Sequence, residues 1–149
     1  MQYSTLAALQ VANKAYRPET TELHGRVRVA VIDTVLEKAD KEILLAKFPA
    51  GRIRILSLST VGSSAGGATT LKVGHNGYKD EVYNEVAKDD DAFLAATELT
   101  EVQKGACFIA PGLSGMLITS VDGFDVIATA SANLATGDGL TGAIYYVVD

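Results

Sequence analysis

The sequence predicts an all-β fold, a sandwich or barrel of about eight short strands separated by Gly-rich turns. Three observations predict it. Arg26 to Asp33, RVRVAVID, alternates with period 2. Glu42 to Val61, EILLAKFPAGRIRILSLSTV, is two apolar runs joined by Pro49-Ala50-Gly51. The 149 residues also include 14 Gly, three Pro and no Trp, a composition that suits many turns.

The Glu42–Val61 stretch organises the rest. Pro49 has a fixed φ and no N–H donor, and Gly51 tolerates positive φ, so the two mark a sharp turn. Beyond it, Arg52 and Arg54 alternate with Ile53 and Ile55. From Leu56 the apolar set changes parity to Leu56 and Leu58, with Ser57 and Ser59 between them. One face stays buried across such a change only if the strand bulges, bends or moves between sheets. The expectation is a long strand rounding a sandwich corner near Ile55-Leu56 and passing from one buried face to another.

The other elements follow in chain order. Residues 1–25 read as an N-terminal arm, with either a short helix over Thr5 to Tyr16 or an extended course open. Residues 26–149 read as the β domain. In its first strand Val27, Val29 and Val31 share one face, and Arg26, Arg28 and Ala30 the other. Glu37 to Lys41 is a polar spacer, and Gly62 to Gly67 a flexible connection. Thr69 to Val73 is a strand, and Gly74-His75-Asn76-Gly77 a turn cluster. Val82, Tyr83 and Val86 have partial helical spacing, so one short helix or helical turn is expected between Tyr78 and Leu94. Cys107 to Ala110 is a short strand. Met116–Val121 and Phe124–Ala130 flank Asp122-Gly123, a two-residue hairpin signal. Asn133 to Gly142 reads as a loop. Ala143 to Val148 is apolar on both faces, which places it centrally in a sheet or in a subunit contact. No internal repeat occurs.

Charge and composition narrow the function classes. A net charge of −5 argues against nonspecific nucleic-acid binding. Arg26, Arg28, Arg52 and Arg54 form a small basic face only if their strands pair. The single Cys, Cys107 in ACFIA, allows no intramolecular disulfide and reads as a small buried thiol. No apolar run is long enough for a membrane helix, and the N-terminus does not read as a signal peptide. The expected setting is a cytoplasm.

Each catalytic signal has a structural explanation that fits better. Gly112-Leu-Ser114-Gly-Met116 misses the nucleophile-elbow pattern at its last position and follows a Pro. His24 and His75 lie in loop contexts with no fixed-spacing partner for a metal. Asp89-Asp90-Asp91 attracts hard cations in principle, yet lacks the spacing and glycine of a Ca²⁺ loop and reads as a solvated acidic loop. Gly62 to Thr70 lacks the Gly-Lys-Ser/Thr ending of a phosphate loop. Tyr78, Tyr83, Tyr145 and Tyr146 are candidates for a sugar-binding surface, although strand aromatics more often pack in cores and interfaces. The expectation is a protein that is not an enzyme, with no catalytic, cofactor or metal residues.

A family resemblance adds a role. LLAKFPAGRIRILSLST, with Phe48-Pro49-Ala50-Gly51 between aliphatic runs, is followed by Leu71-Lys72-Val73-Gly74 and ends on Tyr145-Tyr146-Val147-Val148-Asp149. Over about residues 25–149 this resembles the jelly-roll capsid decoration (cement) proteins of tailed bacteriophages. The resemblance implies a jelly-roll-like antiparallel β-sandwich with at most one or two short helices. It implies a structural virion protein on the capsid exterior that bridges major capsid protein subunits. Its partners would be the major capsid protein and itself, as a homotrimer before a dimer, with no nucleic acid and no membrane. The arm and the Gly-rich loops near 62–67 and 133–142 would make the contacts. The runners-up are a head-fibre, tail or base-plate component and a carbohydrate-binding module.

Overall fold

A computed structural model of the chain describes residues 27–63, 69–98, 106–107 and 115–148. The expected arm, His24, Arg26, Ser114 and the side chain of Cys107 lie outside the described residues. The strands are β1 (Arg28–Val35), β2 (Asp40–Phe48), β3 (Gly51–Ile55), β4 (Thr60–Ser63), β5 (Thr70–His75), β6 (Tyr78–Lys79), β7 (Glu85–Val86), β8 (Asp89–Glu98), β9 (Ala106–Cys107), β10 (Met116–Ser120), β11 (Phe124–Leu134) and β12 (Gly139–Val148). Among the described residues there is no helix.

The fold is an all-β antiparallel sandwich. One six-stranded sheet runs β10-β3-β12-β4-β9, with β1 on the opposite edge of β12. A four-stranded sheet runs β2-β11-β5-β8, and β6 pairs with β7 as a separate ribbon. Alternate residues of both large sheets meet in one core. Ile32, Ile53, Ile55, Ile118, Leu140 and Ile144 come from the first sheet, and Phe48, Leu71, Val73, Phe93, Phe124 and Val126 from the second. Each such side chain contributes about 1.5–3 kcal/mol on burial.

Two arches carry the chain between the sheets at one end. Pro49-Ala50 takes it from β2 in the four-stranded sheet to β3 in the six-stranded one. Val121-Asp122-Gly123 takes it back from β10 to β11. The arches lie side by side, because Phe48 is paired with Phe124 in one sheet and Gly51 with Ser120 in the other. This antiparallel ribbon, folded across both sheets, makes the sandwich jelly-roll-like. Asp122-Gly123 is therefore not the two-residue hairpin expected. Its turn chemistry is right, with Gly123 at φ +85° and Ser120 Oγ donating to the Gly123 carbonyl at 2.8 Å. The flanking strands, however, pair with different sheets. A side chain at Gly123 would collide with the Phe48 carbonyl, which is how closely the arches nest.

The expected corner at Ile55-Leu56 is a bulge within one sheet. β3 and β4 lie end to end along the same edge of β12. Ile55 faces Tyr146 and Thr60 faces Ala143, so Leu56 to Ser59 oppose only Ile144 and Tyr145. Ile53, Ile55, Ser59 and Val61 are all buried, whereas Leu58 is exposed. The core-facing parity never changes. The leucines occupy the bulge, and a serine takes the buried place.

Three local expectations are also corrected. Tyr78 to Leu94 contains no helix; it holds β6, β7 and the start of β8. Asp80 Oδ1 accepts the N–H groups of Val82 and Asn84 at 2.9 and 2.8 Å, which closes a tight loop and competes with helical bonding. Tyr83 in that loop has φ +64°. Asn133 to Gly142 is mostly strand, since only 135–138 turns between β11 and β12, closed by the Ala135 N–H on Asp138 Oδ2 at 2.7 Å. Gly74 and His75 belong to β5, which leaves Asn76-Gly77 as the turn.

Candidate functional site

The feature that stands out on the described surface is the outer side of β1. Period-2 alternation needs one face inward, and here Ala30 and Ile32 take that side. Val27, Val29, Val31 and Val35 look outward and are 57%, 49%, 74% and 65% exposed. Beside them on β12, Tyr145 is opposite Val29 and Ala143 is opposite Val31. Asp33, exposed on the same side, separates Val31 from Val35, so the unbroken apolar run is Val27, Val29 and Val31. An exposed apolar patch of this kind marks a contact site. The alternation made the face legible, but not its direction.

The arginines divide. β1 and β3 do not pair with each other; both flank β12. Arg52 and Arg54 alternate with the buried Ile53 and Ile55, so they lie on the outer side of β3. Arg28 belongs to the other parity of β1, away from its valines. No shared four-arginine face results among the described residues.

His75 is a core histidine at 3% exposure, not a loop residue. Its Nδ1 accepts the Gly77 N–H at 3.2 Å, which puts the ring proton on Nε2. The ring meets Tyr78 edge-on at 5.1 Å and Phe93 at 6.1 Å. Burial holds its pKa below the ordinary value, against a smaller upward pull from Asp89.

The Asp89-Asp90-Asp91 run opens β8 and does bring one oxygen from each carboxylate within 4.8 Å of the others. Its cation is already present as Lys72 of β5. The Lys72 Nζ lies 3.5 Å from Asp90 Oδ1 and 3.6 Å from Asp91 Oδ2. The cluster works as a cross-strand ion pair.

The tyrosines do not line one surface. Tyr78 packs against His75 and Phe124, and Tyr146 meets the Phe48 ring edge-on at 4.8 Å. Tyr83 is 73% exposed at its loop tip, and Tyr145 lies on the outer side of β12. An open groove of about 430 Å³ runs between β1 and β2, lined by Val35, Leu36, Ile43 and Leu44 with Glu37 and Lys38 at its rim. A second, of about 410 Å³, lies beside the β6-β7 ribbon between Lys79, Lys88 and Asp122. Neither brings a nucleophile, a base and an oxyanion donor together.

Ser59 is the residue that sequence reading missed. It looks like a solvent-side spacer between leucines, yet it is fully buried and bonded to Tyr145. Comparison with protein-family models, with curated proteins and with solved structures finds no match to this chain.

Proposed function

We propose that this chain is a structural virion protein that binds the outside of a bacteriophage capsid and bridges neighbouring major capsid protein subunits. The observation that carries the reading is the outward valine face of β1, an extended apolar contact surface on a rigid sandwich. A capsid repeats one site many times, so a modest contact area gains from avidity and needs no reactive groups. The Phe48-Pro49-Ala50-Gly51 segment that carries the family resemblance forms one of the two nested arches, so the resemblance rests on an architectural element. The net charge of −5 keeps free protein soluble and suits a shell with basic patches.

The test is to mix the purified full chain with undecorated shells of the parent phage and sediment the mixture. Co-sedimentation at a fixed number of copies per shell, with density on the exterior by electron microscopy, is the expected result. Density only in the tail or base plate, or no binding to the shells, would exclude capsid decoration.

A further inference from the structure

The backbone edge of β1 points to a specific partner. β1 pairs with β12 without a bulge from Arg28 opposite Tyr146 to Val35 opposite Gly139. The ladder continues past the strand, where Leu36 donates its N–H to the Asp138 carbonyl and accepts the Gly137 N–H, both at 2.9 Å. Residues of an antiparallel strand alternate in which side their backbone groups serve. The even-numbered residues of β1 therefore bond to β12. The N–H and C=O groups of Val27, Val29, Val31, Asp33 and Val35 point to the other edge, where no strand pairs among the described residues.

Folded proteins usually guard a long free edge with lysines, prolines, bulges or short strands. The outer strands of the four-stranded sheet are guarded. β2 carries Lys41, Glu42 and Lys47 and a register break, and β8 opens with three aspartates and breaks register twice against β5. β1, RVAVIDTV, has no Lys, no Pro and no bulge; its two charges are Arg28 at its start and Asp33 near its end, and its valines are exposed.

We propose that this edge is a self-association edge, on which a second copy of the chain adds its own β1 antiparallel across a two-fold axis at Val31. That register sets Val31 opposite the partner's Val31, Val29 opposite the partner's Asp33 and Val27 opposite the partner's Val35. Every backbone group pointing to the open edge is then bonded. The register sets no like charges opposite each other, since Arg28 falls opposite the partner's Thr34 and Asp33 opposite the partner's Val29. The axis stands perpendicular to the sheet, so the valine faces of both copies lie on the same side, with Asp33 of each copy among them. This pairing follows from the edge alone and does not depend on the capsid reading. It replaces the trimer implied by the resemblance with a dimer.

The test uses the purified full chain with no capsid present. Light scattering across a concentration series should give twice the chain mass. Val31→Lys should give the chain mass with an unchanged circular-dichroism spectrum, since Val31 is 74% exposed and makes no core contact to lose. Val31→Cys should form an intermolecular disulfide under mild oxidation, because directly opposed residues in a hydrogen-bonded pair stand about 5.5 Å apart at Cα. Val35→Cys should form none beyond the wild-type background. A monomeric or trimeric wild type, a Val31→Lys dimer, or equal crosslinking of the two cysteine variants would overturn the proposal.

Discussion

Ser59 and Tyr145 close a gap in the six-stranded sheet with side-chain chemistry. The Tyr145 N–H donates to Ser59 Oγ at 2.8 Å, and that hydroxyl in turn donates to the Tyr145 carbonyl at 3.3 Å. The same carbonyl accepts the Leu56 N–H at 2.8 Å, and the Ser59 N–H returns to the Leu56 carbonyl at 3.1 Å. A hydroxyl, which both donates and accepts, therefore replaces a missing backbone rung opposite the bulge.

Ser59→Ala tests that role. It removes a partner from a buried backbone N–H, which costs about 1–3 kcal/mol. Urea unfolding should show a lower midpoint at unchanged slope. An unchanged midpoint would mean that the rung is not supplied by this hydroxyl.

The nested arches make a second prediction. The Phe48 and Phe124 rings stack at 5.1 Å with 20° between planes, and they sit on the two strands that enter the arches. Either residue changed to Ala should cost about 3–5 kcal/mol. The double variant should lose less than the sum of the single losses by about 0.5–1.5 kcal/mol, the worth of the ring pair. Strict additivity in denaturant melts would show that the arches are not coupled through these rings.

The pH dependence of stability should report His75. Its folded-state pKa is lowered by burial, so below the unfolded value of about 6.5 the unfolded chain binds more protons than the native one. The contribution of the neutral ring is complete above that value. It is lost as pH falls below it toward the folded pKa. The melting temperature should therefore drop between about pH 8 and about pH 5.5, and His75→Gln, though less stable at neutral pH, should show a smaller drop. Equal drops in the two proteins would assign the acid sensitivity to other groups.

What the sequence determined on its own is local. Alternation in RVRVAVID and in Arg52–Ile55 identified strands, and Pro49, Gly51 and Asp122-Gly123 identified turns, because φ restriction and side-chain period act within a few residues. These signals were enough for the all-β class. Tertiary pairing decided the rest. The Asp122-Gly123 turn has the same local chemistry whether its strands bond to each other or to β3 and β2, and only the core between the sheets selects the arch. The valines of β1 alternate equally well facing in or out. Ile32 and the neighbouring β12 fix the choice, leaving the valines on the surface and the odd-numbered backbone groups on the edge that no strand among the described residues occupies. At Leu56 to Ser59 the hydropathy pattern pointed the wrong way, because a buried serine bonded across the ladder resembles a solvated one until its partner, 86 residues later, is in place.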